Sequence, residues 1–172
     1  VKNVIKVNKN KSIRLVRGSH IIIKKLYDQE VAFTLQNDDK RIVFVIPYKN
    51  DYSLIGTTEV DVNIPDNPLI SNEEKIYLIN IINNHFIKQI SEKDIVDTYS
   101  GIRPLIEDFK DASKVTRDYV FDLNLEDKNS PLLNIYGGKL TTYRKLSEKV
   151  MEELTPYLSI KNTKNWTDNK VL

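Results

Sequence analysis

Cysteine is absent from the 172 residues of this chain. That excludes disulfides, thiolate chemistry and cysteine–zinc sites. Histidine is nearly as scarce: His20 and His85 stand alone, without an HxxxH pair, so no histidine-rich metal centre is expected. No apolar run reaches the roughly 18 residues that a membrane-spanning helix needs. The N-terminus carries no apolar signal region. Neither sign of charge dominates, with 26 Lys and Arg against 24 Asp and Glu and a net charge of +2. With no basic stripe interleaved with aromatics, that balance argues against a nucleic-acid partner. Methionine occurs once, at Met151, and the chain starts at Val1, which suggests an excised or partial chain. Glycine is also rare, with five positions in all.

What remains is enough for a folded core. Hydrophobic residues make up 40% and charged residues 29%, the balance of a globular chain rather than a disordered one. Residues 13–23 (IRLVRGSHIII), 31–36 (VAFTLQ), 41–48 (RIVFVIPY) and 52–60 (YSLIGTTEV) read as four strands, the middle two joined as a hairpin by Asn37-Asp38-Asp39-Lys40. Ser71-Asn72-Glu73-Glu74 is a helix start. The set Ile76, Ile79, Ile82, Phe86 and Ile87 then follows helical spacing. Residues 94–106, with an interruption at Gly101, 115–123 and 132–136 read as further strands, the last short and buried, and a second helix runs from about Thr142 to Leu154. The fold class that follows is α+β: an antiparallel sheet with helices on one face, plus a final strand–helix unit.

The final unit carries the densest chemistry. In Tyr136-Gly137-Gly138-Lys139-Leu140-Thr141-Thr142 a strand ends in two glycines and a cation, and a helix opens with two threonines. Glycines let backbone approach a ligand, a helix start favours anions, and Thr141 or Thr142 supplies a cap. A structural turn is the plain alternative. Gly18, Gly56 and Gly101 also sit beside polar residues at strand ends, either near a ligand or at bulges. Arg103, in SGIRPL, is held in extended backbone by the proline after it. With Arg117 and Lys139 it makes three cations suited to a phosphate or carboxylate. His20, between Gly18-Ser19 and three isoleucines, is either a half-buried structural residue or a proton acceptor. His85, near the end of its helix, suits the helix dipole.

Taken together, RLVRGSHIII, FTLQNDDKRIVFVIPY, SLIGTTEVD, DIVDTYSGIRPL, VTRDYVFDL and LLNIYGGKLTTYRKLSEKVMEELTPYL resemble the FAD-dependent, respiratory glycerol-3-phosphate dehydrogenases, within the amino-acid-oxidase-like flavoproteins. The resemblance spans residues 11–168. It implies a tail over 1–12, a substrate-binding antiparallel sheet over 13–112, the returning part of the FAD domain over 113–158, and a polar tail over 159–172 leading to a further C-terminal domain. It implies FAD as cofactor, contacted by Gly137, Gly138, Lys139, Leu140 and Thr141. Substrate binding falls to Arg103, Arg117 and Lys139, with Arg103 on the substrate phosphate or over the flavin, and the implied catalytic residues are His20, as candidate base, and Arg103. The implied reaction is oxidation of sn-glycerol 3-phosphate to dihydroxyacetone phosphate, with quinone as acceptor, or oxygen in a sister oxidase. Peripheral contact with the cytoplasmic face of the inner membrane and a homodimer belong to the same expectation.

One part of the pattern is missing. A complete enzyme of this kind opens on a GxGxxG turn for the FAD pyrophosphate. Glycines at 18, 56, 101, 137 and 138 cannot form that turn. The chain is therefore expected to need an N-terminal FAD-binding half, and by itself neither to hold FAD tightly nor to turn over. A non-catalytic module binding a phosphorylated ligand or a protein partner is the alternative from another class.

Overall fold

The structure is a computed structural model and describes residues 13–106, 118–125, 131–158 and 166–170. These fall into two compact units, one made of Arg14–Arg103 and the other of the described residues from Pro104 onward.

The first unit is built on β1 (Ile13–Lys24), β2 (Phe33–Gln36), β3 (Ile42–Tyr48), β4 (Tyr52–Gly56), β5 (Val60–Val62) and β6 (Ile95–Ile106). The order is β2-β3-β4-β1-β5, with β6 also paired to β1. The hairpins β2–β3 and β3–β4, and the pairing of β1 with β4 and β5, are antiparallel. The long central β1 owes its strand form to its β-branched residues, whose crowded side chains suit a pleated sheet.

Strand alternation divides the sheet into two faces. One carries Ile21, Ile23, Leu35, Val43, Val45 and Ile55, which pack with Leu78, Ile81 and Ile82 into the core. Those three lie on α1 (Asn72–His85). Burying each such side chain contributes about 1.5–3 kcal/mol. The expected Ser71–Glu74 capping box is present: the Ser71 hydroxyl accepts from the Glu74 amide, and the Glu74 carboxylate from the Ser71 amide. His85 Nδ1 lies 2.9 Å from the Ile81 carbonyl oxygen in the last turn.

Three expectations need correction. The fourth strand is not continuous: β4 and β5 are separate, because two residues of β1 between Arg17 and His20 face three between Gly56 and Val60. That extra residue is a bulge. Of the expected apolar set, Ile82 lies in the core with Leu78 and Ile81, and Ile79 and Phe86 pack against it, whereas Ile76 is 57% exposed and Ile87 fully so. This helix is apolar nearly all round, so spacing alone does not choose a face. The glycine in β6 does not interrupt the strand.

The second unit contains β7 (Val120–Asn124) and β8 (Leu132–Tyr136), an antiparallel pair. It continues through Gly137-Gly138 and a single 3-10 turn (Leu140–Thr142) into α2 (Tyr143–Leu154). β8 is half-buried, with Ile135 exposed, rather than buried as expected. Among the described residues this two-stranded ribbon has no flanking strand. Glu148 of α2, itself buried, accepts hydrogen bonds from Thr167 Oγ1 (2.5 Å), Arg144 (2.8 Å) and Lys145 (3.2 Å). It thereby fastens residues 166–170 to the helix.

Candidate active site

The sheet face opposite α1 carries His20 and Arg103. Alternation along β1 sends Ser19, Ile21 and Ile23 toward the helix and Gly18, His20 and Ile22 the other way. The row through His20 continues across the sheet to Gly56 and Phe44. Arg103, on β6, donates from Nη2 to Thr57 Oγ1 at 3.0 Å.

Two glycines make room for these side chains. A Cβ at Gly56 would lie 2.2 Å from the His20 ring. One at Gly18 would lie 2.5 Å from Arg103 Nη2 and 2.6 Å from Thr57 Oγ1. The sequence reading set these glycines beside a ligand or in bulges. Their more immediate role is steric, since they clear the space in which the His20 ring and the Arg103 guanidinium rest.

Burial pushes the His20 imidazole below its ordinary pKa, and the Arg103 guanidinium pushes it the same way. The ring is therefore held neutral near pH 7. Its Nδ1 is buried and has no hydrogen-bond partner among the described residues. Tyr99, also on β6 and 63% exposed, places its ring 6.0 Å from that of His20. Ile42, Phe44 and Ile46 leave exposed apolar surface on β3 of the same face. The face thus combines a neutral proton acceptor, a fixed guanidinium and an apolar floor. A guanidinium fork holds an anion, and a neutral imidazole takes a proton from a hydroxyl.

The glycine–lysine turn lies in the other unit. Gly137 and Gly138 have φ of +72° and +97°, a region that L side chains rarely adopt. A Cβ at Gly137 would sit 2.8 Å from the Asp118 carbonyl oxygen. Lys139, Leu140 and Thr141 are exposed. The threonines do not cap α2 through their side chains. Its N-cap is Thr142, whose hydroxyl instead donates to the Lys139 carbonyl at 2.9 Å. The turn into the helix is a 3-10 turn, which draws that hydroxyl backwards. Arg117 lies outside the described residues. Of the expected site residues, then, the structure brings His20 and Arg103 together, and Gly137 to Thr141 form a contiguous turn of their own.

Two residues on the open face escaped the sequence reading: Thr57, which holds Arg103, and Tyr99, which flanks His20. Thr57 follows Gly56 directly, so its place beside a strand-end glycine was the available clue.

Comparison with known proteins decides the family. The family model described as FAD dependent oxidoreductase matches residues 2–144. The chain belongs to this family. It is 52% identical over 147 residues to the aerobic glycerol-3-phosphate dehydrogenase of Escherichia coli (strain K12), covering 84% of this chain and 29% of that protein. It is 42% identical over 156 residues to the D-erythritol 1-phosphate dehydrogenase of Brucella abortus (strain 2308), covering 90% of this chain and 31% of that protein. Among solved structures, the glycerol-3-phosphate dehydrogenase from Bacillus halodurans complexed with FAD matches with a TM-score of 0.69 and 25% identity. That match covers 88% of this chain and 28% of the solved one. The chain therefore spans just under a third of the length of these relatives. Membership accords with the antiparallel sheet and its α+β class. No helix among the described residues is long and apolar enough to cross a membrane.

Proposed function

We propose that this chain supplies the substrate-facing sheet and a flavin-contacting turn of an FAD-dependent dehydrogenase that oxidises sn-glycerol 3-phosphate to dihydroxyacetone phosphate. The observation that carries the reading is the His20–Arg103 pair seated over Gly18 and Gly56 on one open face. A phosphorylated alcohol needs an anion fork and a proton acceptor, and both are fixed there.

Arg103, kept in place by Thr57, orients the substrate through its phosphate. His20, neutral through burial and the nearby guanidinium, accepts the proton of the C2 hydroxyl. Arg117 and Lys139 are further phosphate-binding candidates. The apolar side chains of β3 lower the local dielectric, which strengthens the charge contacts.

The glycine–lysine turn fits a flavin. Gly137 and Gly138 offer backbone without side chains, Leu140 an exposed apolar contact, and Lys139 a cation. A bound FAD would supply the hydride-accepting chemistry. Gly137, Gly138, Lys139, Leu140 and Thr141 would line it. Quinone as the final acceptor, a peripheral position on the cytoplasmic face of the inner membrane, a homodimer and an N-terminal FAD-binding half complete the proposed enzyme.

The test is the visible spectrum of the purified chain, alone and mixed with an N-terminal half bearing the pyrophosphate turn. A colourless chain that gains flavin absorption in the mixture, bleached by sn-glycerol 3-phosphate, is the expected result. A mixture that stays colourless, or a flavin that this substrate does not bleach, would overturn it. Bleaching by D-erythritol 1-phosphate alone would redirect the substrate assignment toward the longer polyol phosphate of the Brucella relative.

A further inference from the structure

Behind the sheet face that carries His20 and Arg103 lies a buried carboxylate with no part in the proposed chemistry. Glu74 is only 4% exposed. Its Oε1 accepts from Ser19 Oγ at 2.8 Å and Thr58 Oγ1 at 2.5 Å. Its Oε2 accepts from Arg17 Nη2 at 2.6 Å and the Ser71 amide at 2.8 Å. Burial opposes this charge, but the bonds from Thr58, Ser71, Ser19 and Arg17 outweigh it and keep the carboxyl below its ordinary pKa. A helix cap needs only the Ser71 bond. Of the other three, two come from Arg17 and Ser19 on β1 and one from Thr58 in the break between β4 and β5.

Those strand contacts fall where the ladder is irregular. Between Gly56 and Val60 the bulge interrupts the pairing with β1. Thr58 bridges the gap: its Oγ1 accepts from the Ser19 amide at 2.9 Å, and its own amide donates to the Ser19 carbonyl at 3.2 Å. Ser100 of β6 joins by donating to Ser19 Oγ at 2.9 Å. Each anchored residue is next to, or on the same strand as, one on the working face. Ser19 lies between Gly18 and His20, Thr58 follows Thr57, and Ser100 precedes Arg103 on β6. Because side chains alternate along β1, pinning Ser19 on the helix side fixes the height and tilt of His20 on the other, and pinning Thr58 fixes its chain neighbour Thr57.

We infer that Glu74 is a positioning residue: through Ser19 and Thr58 it holds the bulged segment so that His20 and the Thr57–Arg103 contact keep their spacing. This rests on the reading of His20 and Arg103 as the working pair, but its test needs neither flavin nor turnover.

The test is an NMR titration of the imidazoles in the full chain. There are only two, and His85 serves as an internal reference. Arg103 and Tyr99 are the groups that face His20. Removing the Glu74 charge would, by Coulomb's law alone, lower the His20 pKa further. Loosening of the seat, with entry of water and departure of Arg103, raises it toward 6.5. The two effects have opposite signs, so a rise reports movement. Glu74→Gln is expected to raise the His20 pKa by about half a unit or more, and Thr58→Val to raise it in the same direction. Leu78→Ala, a core change on the same helix, is expected to lower the melting temperature and leave His20 unmoved. If Glu74→Gln does not fold, Thr58→Val decides. An unchanged or lowered His20 pKa in the folded variants, or an equal rise in Leu78→Ala, would overturn the inference.

Discussion

Two pairs of glycines do different physical work in this molecule. Gly18 and Gly56 lie in or at the end of strands, and neither has a positive φ. They are glycine because His20, Arg103 and Thr57 fill the space a Cβ would take. Gly137 and Gly138 lie in a turn with positive φ, and at Gly137 the obstructing atom is backbone. The first pair makes room for side chains, and the second allows a chain direction. A side chain displaced by a new methyl can move, with loss of its function. A backbone carbonyl cannot move without the chain segment that carries it.

That difference makes testable claims. The largest effect is expected at Gly56→Ala: the new methyl displaces the His20 ring, abolishing at least 100-fold of the activity of the assembled enzyme in a turnover assay. Its stability cost, by denaturant titration, is about 1–3 kcal/mol as for other overpacked sites. If activity survives, the ring's seat does not matter and the proposed base is wrong.

Gly137→Ala is expected to reverse the balance of symptoms. Left-handed backbone costs an L residue about 1–2 kcal/mol, and the contact with Asp118 adds to it. The thermal midpoint should therefore fall, while the His20 titration of the sheet unit stays as in the parent chain. A shift of that titration would show that the two glycine sites do not act separately.

Lowering the pH should weaken the sheet unit by two routes of the same sign. Glu74 has a depressed folded pKa, so its contribution is present above the ordinary carboxylate value of 4.5 and is lost as pH falls through the folded value. His20 is also depressed, so its contribution is complete above 6.5 and declines as pH drops below it. The urea midpoint is expected to slope gently downward below pH 6.5 and more steeply below 4.5. A midpoint that stays flat between pH 7 and 5 would show that His20 is not held neutral by the fold.

The smallest effect belongs to Gly101→Ala. Among the described residues a Cβ there would meet nothing closer than the Tyr99 hydroxyl at 3.9 Å. Stability is expected to change by no more than about 0.5 kcal/mol, with the melting temperature as the readout. A large loss would place an unseen neighbour at that strand position.

Much of this architecture was legible beforehand, for identifiable reasons. The Ser71–Glu74 cap and the turn residues around Asn37 act locally, so spacing reveals them. The break between β4 and β5 was not legible, because a bulge depends on which residues of a distant strand lie opposite. The buried stripe of α1 was legible only in part, with Ile82, Ile79 and Phe86 turned to the core but Ile76 and Ile87 not, for a related reason. Ile76, Leu78, Ile79, Ile81 and Ile82 surround the helix with apolar choices, and only the position of the sheet selects among them. His20 and Arg103 were recognised as chemically apt, yet Thr57 and Tyr99, which hold and flank them, were not. Nothing in a one-dimensional pattern says which hydroxyl or ring will face a given side chain.

By itself, then, the sequence determined the element types, the helix starts, the glycine–lysine turn and the family to which the chain belongs. All of these rest on interactions within a few residues or on motifs read in order. Tertiary structure alone decided that Gly18 and Gly56 are seats for His20 and Arg103, and that the capping glutamate Glu74 reaches through the sheet's helix side to Ser19 and Thr58. Those contacts join residues 16 to 85 positions apart. Their existence depends on register and burial, which are set only when the strands pair and the core excludes water.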